Sequence, residues 1–141
     1  MPKMEYFVVC ESISIDHQTN RVSLFNIIED LQPVGPEVQG DIIGQFVAVS
    51  SWNKSPEDEG KDFQVIHRIH TSGGEPKDFS LNFRMENPRQ RLVLRIQGIP
   101  PVHPGILRIE LLLNGLHFAD HVVTVHPAIS PDAAKPDVGI P

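Results

Sequence analysis

Asn114-Gly115 constrains this chain more than any other feature, because it sits between two alternating apolar runs in Pro104 to Val125, PGILRIELLLNGLHFADHVVTV. The pair predicts a β-hairpin, since a type I′ turn needs positive φ at both central residues. Before the turn, Leu107, Ile109, Leu111 and Leu113 share one strand face, and Arg108, Glu110 and, less cleanly, Leu112 take the other. After it, Leu116 and Phe118 continue the buried face, whereas Val123 and Val125 are apolar at odd positions. This change of phase predicts a bulge near Ala119-Asp120.

The upstream chain supplies strands for the hairpin to pair with or pack on. Residues 4–15 are strand-like and apolar on both parities until Glu11-Ser12 interrupts, as in a first strand that bends from one sheet to the other. Asp16 to Asn20 is a polar turn, and Arg21 to Leu31 a second strand of mixed parity whose buried face is left open. Pro33 to Gly40 reads as a connecting loop. Ile42 to Trp52 contains the continuous apolar run Phe46-Val47-Ala48-Val49, which suits a central strand covered on both faces. After the charged loop Asn53 to Lys61, Phe63, Val65, His67 and Ile69 alternate with mostly polar residues. Ser72 to Pro76 is a hairpin turn, and Phe79, Leu81, Phe83 and Met85 alternate cleanly beyond it. Leu92, Leu94 and Ile96 alternate next, so Asn87 to Gln90 is expected to close another hairpin with Glu86 opposite Arg91. Gly98 to His103 is a Pro-rich connector.

Strands thus recur about every 10–15 residues, with turn signals between them and no convincing amphipathic helix. The expected fold is an all-β, antiparallel, immunoglobulin-like β-sandwich of about seven to nine strands. Residues 1–126 form its single domain, and 127–141, with four Pro in fifteen residues, form an extended Pro-rich tail.

The 141 residues suffice for one real core. A net charge of −6 argues against general nucleic-acid binding and against docking on an anionic membrane. No run approaches the ~18 apolar residues of a membrane span, and the opening MPKMEYFVVC is too short an apolar run for a signal peptide. Cys10 is the only cysteine, so no internal disulfide forms; the expected location is the cytoplasm.

Glu5-Tyr6-Phe7-Val8-Val9-Cys10-Glu11-Ser12, followed by Asp16, Thr19-Asn20-Arg21 and Ser23-Leu24-Phe25-Asn26-Ile27, resembles the opening of a family of small bacterial and archaeal β-sandwich proteins of unknown function. The Pro-Gly start and Asn-Gly turn of the closing hairpin match that family too. The resemblance covers most of residues 5–125 and is sharpest in the first thirty. It implies a compact single β domain and carries over no catalytic residue.

Candidate chemistry is sparse. His67 and His70 point to opposite sides of a strand, and His117 and His121 lie about 13 Å apart along a regular one, so neither pair chelates a single ion. A metal site would need a cross-strand cluster such as His121 with Asp120 or Glu110 and a third group. The plainer reading is surface histidines, with His67 partly buried. Cys10 lies in an apolar strand and reads as a small hydrophobe, not a nucleophile. Glu57-Asp58-Glu59 lacks the alternation of a calcium loop and reads as solvated. No hydrolase, metalloprotease, phosphate-loop or dinucleotide motif occurs, and the sequence implies no catalytic residue, metal or cofactor.

Arg84, Arg91, Arg95, Arg68 and Arg108 fall at outward positions and form one basic sheet face if their strands adjoin. Outward Val93 and Leu112 would make that face interface-like, against the plainer reading of charges that discourage edge pairing. The expected function is therefore a non-enzymatic module that binds a protein partner or itself, as a homodimer. The rivals are a small-ligand or carbohydrate site at the end holding His17, Trp52 and the 53–61 loop, and a metal-dependent hydrolase.

Overall fold

The computed structural model describes residues 1–32, 45–97 and 103–127. The expected loop at 33–40, most of the connector before His103 and the tail beyond Pro127 lie outside these. The described strands are β1 (Lys3–Ile15), β2 (Val22–Ile27), β3 (Asp30–Leu31), β4 (Gln45–Asn53), β5 (Asp62–His70), β6 (Lys77–Arg84), β7 (Arg89–Gln97), β8 (Gly105–Leu113) and β9 (Leu116–Val125). They form the expected all-β sandwich: a four-stranded sheet ordered β2-β1-β4-β7 and a five-stranded sheet ordered β3-β9-β8-β5-β6. Every pairing is antiparallel except the short β3–β9 contact.

The continuous apolar run makes β4 central, as its sequence implies. Phe46 to Trp52 are each at most 1% exposed, so both faces of this strand are covered. One face carries Phe46, Ala48 and Trp52 into the space between the sheets. There Phe46 and Ala48 pack with Val9, Ile69, Ile96, Leu107, Ile109, Val123 and Val125, and Trp52 with Phe63, Val65, Met85, Leu92, Leu111 and Leu113. The other face carries Val47 and Val49, which lie with Cys10 beneath Tyr6, Ile13, Leu24 and Val93.

That outer cover comes from a bend in β1. The strand does not cross to the other sheet, as its double-sided pattern suggested; it stays beside β4 and carries the β1–β2 hairpin over the outer face. Arg91 of β7 fastens the hairpin tip: its Nη2 donates to the Asn20 carbonyl at 2.9 Å and its Nη1 to Asn20 Oδ1 at 3.4 Å. β7 and β2 are opposite edges of this sheet, so the clasp spans its outside. Asn20 has φ of 57° and its N–H donates to the Asp16 carbonyl, which closes the tip.

The expected β6–β7 hairpin does not form. β6 is the edge of one sheet and β7 the edge of the other, so Glu86 does not sit opposite Arg91. Met85, fully buried, is the crossing point; it exchanges backbone hydrogen bonds with Lys61 and Gly60. Clean alternation on two successive strands fits a hairpin or a change of sheet equally well.

The closing hairpin forms as expected, with φ of 49° at Asn114 and 84° at Gly115. Asn114 also anchors the turn to β5: its Oδ1 accepts from Gln64 N–H at 2.9 Å and its own N–H donates to the Gln64 carbonyl at 2.8 Å. The phase change is a bulge, placed one residue earlier than expected. Leu111 pairs with Ala119 and Leu112 with His117, which leaves Phe118 as the extra residue. Phe118 turns inward against Trp52, ring centroids 5.1 Å apart and nearly perpendicular, while Leu116 is 56% exposed rather than buried.

An added Cβ at Gly115 meets nothing within 4 Å, so Gly115→Ala carries the left-handed backbone penalty alone. It is expected to lower stability by about 1–2 kcal/mol. Asn114→Ala, which also removes the Gln64 anchor, should cost more. Urea unfolding of the two variants checks the order.

Candidate functional site

The outer face of the five-stranded sheet carries a polar network centred on Glu110. β8 pairs with β5 on one side and β9 on the other, which brings side chains from three strands around this carboxylate. His70 Nε2 and His117 Nδ1 each lie 2.9 Å from one of its oxygens. Arg108 Nη1 is 4.0 Å from Oε1 and donates to Asp120 Oδ1 at 3.0 Å. Beside them Arg68 forms a two-bond pair with Asp78, at 2.8 and 3.1 Å. The His70 hydrogen bond, joined by that of His117 and the charge of Arg108, outweighs partial burial and holds the Glu110 carboxyl below its ordinary range. The donors and acceptors of this network satisfy one another. Among the described residues, no group of three or more His, Cys, Asp or Glu side chains converges as metal ligands.

The histidines separate as strand geometry demands. The Phe118 bulge turns His117 outward and His121 inward, so His121 joins neither Asp120 nor Glu110 at a metal. Instead His121 ties the two sheets together: its Nε2 lies 2.6 Å from the Ile28 carbonyl, and Val9 N–H donates to its Nδ1 at 3.4 Å. These partners place the ring proton on Nε2. Phe7 lies between His121 and His67, at centroid distances of 6.4 and 5.9 Å. His67 is more deeply buried than its sequence suggested, 1% exposed, and neither ring nitrogen has a hydrogen-bond partner among the described residues.

The sequence-proposed interaction residues fall on two opposite faces. Arg91, Val93 and Arg95 are on β7, outside the four-stranded sheet; Arg84, Arg68, Arg108 and Leu112 are on β6, β5 and β8, outside the other. β8, β5 and β6 adjoin, but β7 belongs to the other sheet, so the five arginines do not form a single basic face. Arg91 holds the hairpin tip, Val93 packs against the Cys10–Val47–Val49 cluster, and Arg84 pairs with Asp62 at 3.2 Å. Leu112 is 7% exposed, covered by its neighbours.

The proposed ligand end does not assemble either. Trp52 is fully buried, and its Nε1–H donates to Ser50 Oγ at 2.9 Å, so it belongs to the core and not to a ligand site. His17 is exposed in the β1–β2 turn. In the 53–61 loop, Asp58 turns inward and is 2% exposed, accepting from Ser55 N–H, while Glu57 and Glu59 stay in solvent. The acidic run is thus only partly solvated.

What the sequence reading missed is β2. As an edge strand it exposes Phe25 and Ile27, each at 48%. Glu11 and Asn26 are joined across the β1–β2 pair by a 2.9 Å hydrogen bond, and Asn26 has φ of 56°. That left-handed residue breaks the alternation, which is why the strand's parity was mixed. The available signal was its composition: VSLFNI has no charged residue and is bracketed by Arg21 and Glu29.

No family model and no curated protein matches the chain. Among solved structures it is similar to the alkylpurine DNA glycosylase AlkC of Pseudomonas fluorescens, bound to DNA containing an abasic-site analogue. That likeness has a TM-score of 0.53 and 12% identity, and covers 89% of this chain and 30% of the glycosylase chain. At this identity the likeness is one of fold. Among the described residues, no helix is long and apolar enough to cross a membrane.

Burial pushes the His67 imidazole down from 6.5 to about 4, outweighing the opposing effect of the nearby Phe79 backbone. Above the ordinary value both folded and unfolded chains hold it neutral, and it contributes nothing to pH dependence. As pH falls from 6.5 towards 4, the unfolded chain gains a proton that the folded chain refuses, so stability falls. The full loss is about 3 kcal/mol. His67→Leu should remove this loss and, by deleting two unpaired buried nitrogens, leave stability at neutral pH unchanged or raised. Urea unfolding of both chains between neutral pH and pH 4 checks it.

Proposed function

We propose that this sandwich acts by binding protein and not by catalysis, and that the contact runs along the free edge of β2. The observation that carries this reading is the contrast between edges. β7 bears Arg89, Arg91 and Arg95, and β6 bears Lys77, Asp78 and Arg84, charges that oppose pairing with another chain. β3 has two residues only. Among the described edge strands, β2 alone is uncharged along its length, with Phe25 and Ile27 half exposed. An extended partner segment adding to such an edge gains main-chain hydrogen bonds and burial of those side chains together.

The same proposal includes an immunoglobulin-like subclass, supported by the closing hairpin, and a cytoplasmic setting, supported by the single unpaired cysteine. Nucleic acid is not part of it. The glycosylase in the similar structure is DNA-bound, but the chain spans 30% of it, and a net charge of −6 argues against general nucleic-acid binding.

A photoreactive phenylalanine analogue placed at Phe25, with another at exposed Val122 on the opposite sheet for comparison, tests the edge directly in cells. Protein adducts are expected at Phe25 and not at Val122. No adduct at Phe25, or equal labelling at both, would contradict the reading.

A further inference from the structure

We propose that Asn114 is a site of spontaneous modification, and that its bond to β5 holds the reaction back. The chemistry is deamidation. The Gly115 main-chain nitrogen attacks Asn114 Cγ, the Cγ–Nδ2 bond breaks, and the Gly115 proton leaves with the side-chain amide as ammonia. A five-membered succinimide remains. Water then opens this ring at one of its two C–N bonds. One cleavage restores the ordinary main chain with an aspartate; the other gives isoaspartate, whose main chain runs through Cβ.

Of the six asparagines, Asn114 alone precedes glycine. Pro88 after Asn87 has no N–H to attack with, and Arg21, Ile27, Lys54 and Phe83 each set a side chain beside the attacking nitrogen. Asn114 and Gly115 are both exposed, and a Cβ built on Gly115 meets nothing within 4 Å. The attacking nitrogen is therefore unshielded by its own residue or by the surroundings. The restraint comes from the sheet. β5 and β8 pair Val65 with Leu113, so the next residues in line are Gln64 and Asn114. Asn114 N–H continues the ladder by donating to the Gln64 carbonyl at 2.8 Å. At this left-handed residue, φ 49°, the side-chain Oδ1 takes the place of the main-chain carbonyl and accepts from Gln64 N–H at 2.9 Å. The carboxamide is thus part of the ladder, and the reaction waits on local opening of that bond. The products differ in what they leave. Aspartate keeps an acceptor for Gln64 N–H. Isoaspartate adds a main-chain carbon to a two-residue turn, which loosens both the hairpin and its tie to β5.

Incubation of the full chain at mildly alkaline pH, folded in buffer and unfolded in urea, tests this with peptide mapping by mass spectrometry. Deamidation at Asn114 is expected in both, about tenfold or more slower in the folded chain, since each factor of ten needs only about 1.4 kcal/mol of local opening. In urea, Gly115→Ala should suppress most of it. Asn114→Asp should unfold at nearly the urea concentration of the wild type, and the isoaspartate form at a clearly lower one. An Asn114 that stays intact in urea overturns the site. Equal rates in the folded and unfolded chains overturn the restraint, and an Asn114→Asp variant as unstable as Asn114→Ala overturns the role given to Oδ1.

Discussion

β4 must be covered on both sides, and the rest of the structure answers that requirement. A strand reading Phe46-Val47-Ala48-Val49-Ser50-Ser51-Trp52 buries seven consecutive residues to at most 1% exposure. Left with one wet face it would expose Val47 and Val49, at about 1.5–3 kcal/mol for each side chain. The five-stranded sheet covers one face. The other is covered by bending β1 and folding its own hairpin back over the sheet, with Ile13 and Leu24 as the lid and Arg91 as the clasp. His121 of β9 ties the two sheets together through Val9 of β1 and the Ile28 carbonyl.

This solution decides which surfaces are free. Arg91 and Val93 look outward in sequence but are engaged by the folded-back hairpin. The Glu110 network on the far sheet is internally satisfied by His70, His117, Arg108 and Asp120. β2, as one half of the lid, presents Leu24 inward and leaves Phe25 and Ile27 at an uncharged edge. One hairpin thus completes the core and carries the proposed contact.

Much of the fold was legible because its signals are local. The Asn114-Gly115 turn needs only two residues of suitable backbone freedom, the double cover of β4 shows as an unbroken apolar run, and the bulge shows as a change of parity between Phe118 and Val123. What was not legible depends on distant partners. Alternation in β6 and β7 gives each strand an inner face but not its neighbour, so a change of sheet at Met85 passed for a hairpin. For the same reason five arginines on two opposite faces passed for one patch. Trp52 reads in sequence as part of a ligand end, yet Phe118, brought in by the bulge, packs edge-on against it in the core. The β2 edge was hidden by the left-handed Asn26.

Cys10 offers a direct reading of the central arrangement, because it is the only cysteine and lies beneath the folded-back hairpin. It is fully buried, and that burial pushes its thiol pKa up. The decisive measurement is the rate at which an aromatic disulfide reagent modifies it in the native chain, compared with the Arg91→Ala variant. A hairpin clasped over the sheet predicts slow modification in the native chain and a clear acceleration when the clasp is removed. Rapid, complete modification of the native chain, or equal rates in the two, would contradict it.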